Sequence, residues 1–114
     1  MAMIDVTKNT IHEVLVGNSR VILDFWAAWC GPCKMISPKL ELLSEEYQDI
    51  TFGKVNVDDE TELIKDFEIK SIPTVIAFKG QRETARRVGK ASEEELRSFL
   101  TSAFATTDEL DVKE

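Results

Sequence analysis

The chain has 114 residues, 43% hydrophobic and 31% charged, which is the size and composition of one globular domain. Its two cysteines and single histidine are too few for a disulfide framework or for an ordinary zinc site, which needs four ligands. A net charge of −7, with no run of Lys and Arg to offset it, opposes binding to nucleic acid or to an anionic membrane surface.

The ends of the chain suggest a location and a domain boundary. Residues 1–5 have neither a basic segment nor a long apolar stretch, so no signal peptide is expected. The longest apolar run, Val21–Trp29, is broken by Asp24 and is far shorter than the roughly 20 residues of a membrane span. We therefore expect a cytoplasmic protein. Four of the last seven residues are acidic, so residues 105–114 are expected to form a flexible tail after a domain of residues 1–104.

The first half of the chain alternates helical and strand patterns. Thr7–Val16 has apolar residues at helical spacing, and a glycine and an asparagine follow it and end the helix. Val21–Trp26 is dense in β-branched and aromatic residues, which is typical of a strand buried on both faces. Cys30–Tyr47 has one continuous apolar helix face, and Pro38 inside it is expected to kink that helix.

The second half predicts three more strands, at Thr51–Val57, Thr74–Phe78 and Thr84–Val88, the last two joined by a turn at Gly80. An acidic residue is expected to cap a helix over Asp59–Phe67, and Ser92 with Glu95 forms the capping box of a last helix. Helices between strands imply parallel pairing with helices on both faces, and the late hairpin adds an antiparallel edge. The expected fold class is α/β, with a central mixed β-sheet of four to five strands flanked by about four helices.

The segment Trp29-Cys30-Gly31-Pro32-Cys33-Lys34 has the most specific chemical signature in the chain. It joins a buried strand to a helix, so both sulfurs lie in the first helical turn, where free N–H groups and the helix dipole favour an anion. Cys30, at the cap position and the more exposed, is expected to be the attacking thiolate. Cys33 lies one turn further along the same side, shielded from solvent, which suits a resolving thiol. Pro32 fits a first turn because no N–H is needed there.

Three other interpretations of the two cysteines stay open. A structural disulfide would close a very short loop and would stabilise the fold by only about 2 kcal/mol. Half of a zinc site would need ligands from a second protein. Two ordinary buried thiols are possible, but Gly-Pro between them packs poorly at the start of a helix. A redox role explains the segment best.

Asp24 interrupts the apolar strand six residues before Cys30. If both faces of that strand are covered, the carboxyl group is desolvated and its pKa rises toward neutrality, as a general acid or base requires. The alternative is a frayed strand end at which the carboxylate reaches water.

Residues Asp24–Lys34, read as Asp-Phe-Trp-Ala-Ala-Trp-Cys-Gly-Pro-Cys-Lys, resemble the active-site segment of the thioredoxin family. Ser71–Thr74 matches the family's cis-proline loop, and Phe78–Gly80 and Val88–Gly89 match later positions, so the resemblance covers about residues 4–104. It implies a thioredoxin-like fold and a protein-disulfide reductase that works by dithiol–disulfide exchange. We expect a monomer, because little in the sequence suggests an interface between copies. The resemblance also implies that no cofactor is bound, that electrons come from NADPH through a separate thioredoxin reductase, and that the other partners are disulfide-containing client proteins.

The resemblance further assigns roles to residues around the cysteines. It implies that Asp24 helps to deprotonate Cys33 and that Lys54 lies beside Asp24 and modulates its charge. It implies a cis Ile72–Pro73 bond and an apolar rim that docks partner proteins, formed by Trp29, Gly31, Pro32, Ile72, Val88 and Gly89. The sequence alone leaves open a solvent-facing Lys54, a trans Pro73 that starts a strand, and rim residues that are ordinary core or turn.

Two other functions stay open at this point. One is a binding or assembly module with the same fold, in which the acidic tail or the Lys90 side of the rim carries the interaction. The other is an oxidase or isomerase that uses the same residues at a higher redox potential. The Gly-Pro pair between the cysteines and the missing export signal favour a reductase.

Overall fold

The computed structural model describes residues 3–105, which form five strands and four helices. In chain order these are β1 (Met3–Asp5), α1 (Ile11–Gly17), β2 (Arg20–Trp26), α2 (Gly31–Glu46), β3 (Thr51–Asn56), α3 (Thr61–Asp66), β4 (Thr74–Lys79), β5 (Arg82–Val88) and α4 (Glu93–Ala103). The predicted α/β class is confirmed. No helix in this part of the chain has the length and apolar character to cross a membrane. The predicted tail, residues 105–114, lies outside the described residues except for Ala105.

The five strands form one mixed sheet in the order β1-β3-β2-β4-β5. β1, β3 and β2 pair in parallel, whereas β4 is antiparallel to both β2 and β5. The first strand, β1, was missed by the sequence analysis. It is only three residues long and is held by backbone pairing of Met3–Asp5 with Phe52–Lys54, so it has too few side chains to show a pattern.

The sheet separates two apolar clusters, and β2 contributes to both. Ile22 belongs to the cluster formed with α2 and α4, while Leu23 and Phe25 belong to the cluster that packs against α1 and α3. This division follows from the strand period of two, since alternate side chains point to opposite faces. Burial on both faces accounts for the dense apolar sequence of this strand. The two cysteines lie in the second cluster.

The observed helix caps agree only in part with those predicted from the sequence. α4 has the predicted capping box, because Ser92 Oγ accepts from the N–H of Glu95 and the Glu95 carboxylate accepts from the N–H of Ser92. The predicted acidic cap of α3 is wrong: Glu60 occupies the cap position, but its carboxylate accepts from the backbone N–H of Lys8 at 2.9 Å. α2 continues through Pro38 as far as Glu46.

The turn between β4 and β5 consists of Gly80 and Gln81, which both have positive φ, at 58° and 73°. Two positive φ values are the signature of a type I′ turn, whose twist matches that of the flanking strands. The turn predicted at Gly80 is therefore confirmed.

Gly53 lies in β3 between β1 and β2, where there is no room for a side chain. A Cβ atom added there would lie 2.6 Å from Val6 Cγ2 and 3.2 Å from Leu23 Cδ2. We expect Gly53→Ala to lower the free energy of unfolding by about 1–3 kcal/mol, because the neighbours must move. Urea denaturation would measure the change. Gly17→Ala is the matched control, since nothing lies within 4 Å of a Cβ there. Equal loss in both variants would contradict the packing argument.

Candidate active site

Chain topology brings the cysteines and the proline loop to one edge of the sheet. β2 ends at Trp26, just before the cysteine segment, and β4 begins at Thr74, just after Pro73. Because these strands are antiparallel, Thr74 pairs with Phe25, and it pairs on its other side with Val88 at the end of β5. The same edge holds the end of the parallel strand β3. We call it the disulfide edge.

Cys30 and Cys33 are joined by a disulfide at the start of α2, with their Cα atoms 5.3 Å apart. Cys30 is the N-cap residue, and its Sγ accepts a hydrogen bond from the backbone N–H of Cys33 at 3.2 Å. Cys30 is the more exposed of the two cysteines, as expected, but both are buried in this disulfide form. Its exposed fraction is 4%, against 1% for Cys33, because both sulfurs pack within the second apolar cluster.

Asp24 lies in the middle of the sheet and has no exposed surface. Its Oδ2 accepts a hydrogen bond from Ser37 Oγ at 3.2 Å, and its Oδ1 has no partner among residues 3–105. Burial raises the pKa of Asp24 to about 6, although the Ser37 hydroxyl and the Lys54 ammonium partly oppose this by favouring the carboxylate. The alternative of a hydrated carboxylate at a frayed strand end is therefore wrong.

Lys54 pairs directly with Asp24 in the parallel register of β2 and β3. Its side chain is half-buried, and its Nζ lies 5.4 Å from the centre of the Trp26 ring. A lysine that faced only solvent would not contact this ring. The arrangement agrees with the position that the family resemblance implied.

A cavity of about 360 Å³ lies beside the disulfide, on the Cys33 side. Its lining consists of Trp26, Ala27, Ala28, Cys33, Lys34, Ser37 and Lys54. Asp24 is not part of this lining, although Ser37 and Lys54 are its neighbours. Ser37 therefore contacts both the cavity and the buried carboxyl group.

The Ile72–Pro73 bond is cis, as the resemblance implied. Pro73 is buried, and its carbonyl accepts from the N–H of Gly89 at 2.9 Å, which ties the proline loop to the end of β5. Ile72 packs against the cluster that contains both cysteines. Within residues 3–105 its backbone makes no hydrogen bond to another backbone group, so its N–H and C=O are free for an extended ligand.

The six predicted rim residues differ in exposure. Trp29 and Val88 are 69% and 56% exposed, Gly31 and Pro32 are also exposed, and Ile72 and Gly89 are half-buried. Trp29 is fixed through its indole Nε1, which donates to both carboxylate oxygens of Asp58, at 3.0 and 3.2 Å.

Sequence reasoning missed two residues of this site. Ser37 lies four residues after Cys33, hence on the same helix face, and this spacing is the signal that could have found it. Asp58 follows β3, so the parallel pairing with β2 could have placed it at the disulfide edge. Within the described residues, no group of three or more His, Cys, Asp or Glu side chains is placed to hold a metal ion.

Comparisons with known proteins agree with this site. A family model described as Thioredoxin matches residues 2–102. A thioredoxin from Alicyclobacillus acidocaldarius is 41% identical over 104 residues, which are 90% of this chain and 99% of that protein. A solved mutant thioredoxin from Halobacterium salinarum superimposes with a TM-score of 0.85 at 28% identity, covering 93% of this chain and 94% of that one. A Mycobacterium leprae protein named bifunctional thioredoxin reductase/thioredoxin is 46% identical over 78 residues, which are 68% of this chain and 17% of that protein.

The family match and the identity over almost the whole length of a curated relative agree with the fold and with the cysteine pair at the start of α2. The predicted thioredoxin-like fold is thus confirmed. The chain belongs to the thioredoxin family and is a thiol–disulfide oxidoreductase.

Proposed function

We propose that this protein is a general reductase of disulfides in partner proteins, with Cys30 as the attacking thiolate and Cys33 as the resolving thiol. The observation that carries this assignment is the cap geometry of α2, in which the N–H of Cys33 points at Cys30 Sγ from 3.2 Å. In the dithiol form the same N–H and the helix dipole stabilise a negative sulfur at Cys30. The opposite arrangement, with Cys33 attacking first, has no such support.

The reaction transfers two electrons in two exchange steps. The Cys30 thiolate attacks one sulfur of a client disulfide, a mixed disulfide forms, and the first client sulfur leaves as a thiolate that takes a proton from solvent. Cys33 then gives its proton to the Asp24 carboxylate and attacks Cys30 Sγ. The second client sulfur leaves as a thiolate and is protonated. The client is reduced to a dithiol, and the Cys30–Cys33 disulfide is restored.

The neighbouring residues have supporting roles. Asp24 is the base for Cys33, and Lys54 limits how far burial raises the pKa of that carboxyl group. Pro73 holds the loop in which the free backbone groups of Ile72 can pair with an extended client segment, in the manner of strand addition. The other rim residues, Trp29, Gly31, Pro32, Val88 and Gly89, supply general apolar contact, which tolerates varied partners.

We also propose that the dithiol is regenerated by a separate thioredoxin reductase that draws electrons from NADPH, with no cofactor bound to this chain. Support comes from the Mycobacterium leprae relative, whose name joins a reductase and a thioredoxin. The present sequence has no glycine-rich nucleotide-binding loop of its own. We place the protein in a reducing cytoplasm, where such a pair is kept reduced, and we propose that it acts as a monomer on disulfide-containing clients.

The test of the function is reduction of insulin disulfides in the presence of dithiothreitol. We expect the wild-type protein to accelerate the reduction and Cys30→Ser to lose the acceleration completely, because no other sulfur in the chain can attack first. Circular dichroism would show that the variant is folded. If wild type and Cys30→Ser gave the same rate, the assignment of the nucleophile would be wrong. Titration of the pair against glutathione would then separate a reductase from an oxidase or isomerase by its potential.

A further inference from the structure

Asp24 is fully buried, yet the reaction requires its carboxyl group to gain a proton and later to lose it. The cavity beside the disulfide is lined by two neighbours of Asp24, Ser37 and Lys54, but Asp24 itself does not line it. The one lining residue that donates a hydrogen bond to Asp24 is Ser37, from 3.2 Å. A proton that moves between the cavity and Asp24 therefore meets the Ser37 hydroxyl on its way.

A hydroxyl group suits this position because it can both donate and accept a hydrogen bond. It donates to Asp24 Oδ2 when the carboxyl group is ionised. When Asp24 is protonated, the hydroxyl rotates and accepts the acid proton, while its own hydrogen turns toward the cavity. Alanine offers neither bond, whereas threonine keeps the same group.

The other groups around Asp24 do not offer an equivalent route. From β3, Lys54 faces it and is the charged group that acts on its titration. From β4, the directly paired residue is Val75, which has no titratable group. From α2, the cavity-lining groups are Cys33, Lys34 and Ser37, and Ser37 is the one in hydrogen-bond contact.

We propose that Ser37 is a positioning residue of the reductase: it holds the Asp24 carboxyl group and passes protons between that group and the cavity. The inference rests on the proposed function, since it concerns the step in which Cys33 is deprotonated. In that step the Cys33 proton goes to Asp24. Asp24 then returns a proton through the Ser37 oxygen to solvent in the cavity, as the hydroxyl hydrogen leaves on the cavity side. No oxidant or reductant is needed, because only protons move.

The experiment compares Ser37→Ala with Ser37→Thr and with the control Ser44→Ala. Ser44 is a second serine of α2 and is buried, whereas Ser37 is half-buried; the Ser44 hydroxyl donates to the backbone carbonyl of Glu41 and not to Asp24. Two readouts are used: titration of the Asp24 carboxyl carbon by NMR, and the pH dependence of the rate at which Cys33 resolves a preformed mixed disulfide.

We expect Ser37→Ala to lower the acid dissociation constant of Asp24 about tenfold, because both hydrogen bonds are lost and the one to the charged form is the stronger. The inflection of the pH–rate profile should move to higher pH by about one unit, so that the rate at pH 6 falls about fivefold. Ser37→Thr should restore both readouts, and Ser44→Ala should leave both at the wild-type values.

Unchanged titration and pH profile in Ser37→Ala would overturn the proposal, and so would a Ser37→Thr protein that behaves like Ser37→Ala. The insulin assay on wild-type protein separates the two levels of inference. A wild-type protein that fails to reduce insulin contradicts the proposed function. A wild-type protein that reduces insulin, together with a Ser37→Ala variant whose Asp24 titration and pH profile are unchanged, contradicts only the role of Ser37.

Discussion

Replacing Asp24 by Asn is expected to raise the free energy of unfolding at pH 7 by about 3 kcal/mol while impairing the enzyme. The reason is the burial of an ionisable group in the sheet. Burial raises the pKa of Asp24 from 3.8 to about 6, so ionising it in the folded protein is harder by about two pH units, each equal to about 1.4 kcal/mol. Asn has the same shape and carries no charge at any pH.

The sign of the effect defines a pH window. Well below pH 3.8 Asp24 is protonated in both the folded and the unfolded chain, so its ionisation does not change the free energy of unfolding. As pH rises toward 6 the unfolded chain releases this proton while the folded chain keeps it, so the wild-type protein loses stability across this interval. Above it the loss is complete and constant. The stability difference between Asp24→Asn and wild type should therefore grow between these two values and then level off.

Urea denaturation of the disulfide forms at several pH values would measure this difference. Comparing the two proteins at each pH cancels the titration of the other carboxylates, which both share. A difference that stays constant from pH 4 to pH 8 would contradict the assignment of a raised pKa to Asp24.

In the insulin assay the same variant should be slower at neutral pH, on the order of 10²-fold for the resolving step, because Cys33 loses its base.

Replacing Cys33 by Ser is expected to leave the protein covalently bound to its clients through a mixed disulfide at Cys30. Cys30 can still attack a client disulfide, but the mixed disulfide that results has no internal thiol to break it. Turnover with insulin should fall to the uncatalysed rate, and partner proteins should remain bound to Cys30. A binding module whose cysteines are incidental would instead hold its partners without a covalent bond.

Non-reducing electrophoresis of tagged Cys33→Ser protein after exposure to a cell extract would show these complexes. Dithiothreitol should release them. The double variant with serine at both positions is the matched control, since it has the same surface but no nucleophile. Complexes that form equally with the double variant, or that survive reduction, would contradict the exchange mechanism.

Much of the site could be predicted because its main elements are local in the sequence. The cysteine segment contains the sequence signals of a helix start, and Asp24 is an acidic residue within an otherwise apolar strand. The six-residue separation between Asp24 and Cys30 also keeps them on one strand-to-helix connection. The residues alone left the position of Lys54 open, because it depends on the register between β2 and β3, which no local pattern specifies.

The features that the sequence did not predict depend on tertiary contacts. β1 exists only because β3 offers a free edge to Met3–Asp5. Ser37 has no distinguishing feature in the sequence beyond its spacing from Cys33, and its importance follows only from its contact with Asp24 in the fold. The hydrogen bond between Trp29 and Asp58 crosses 29 residues of sequence. The buried state of Cys30 likewise follows from packing around the disulfide rather than from its position at a helix cap.

The type I′ turn at Gly80 and Gln81 stands at the opposite end of β4 from the cysteines. Six extended residues separate the two ends, a span of about 20 Å. A reporter or a solid support attached through the exposed Gln81 would therefore face away from a client held at the disulfide edge. Immobilised in this orientation, the protein could exchange electrons with one partner after another while remaining anchored.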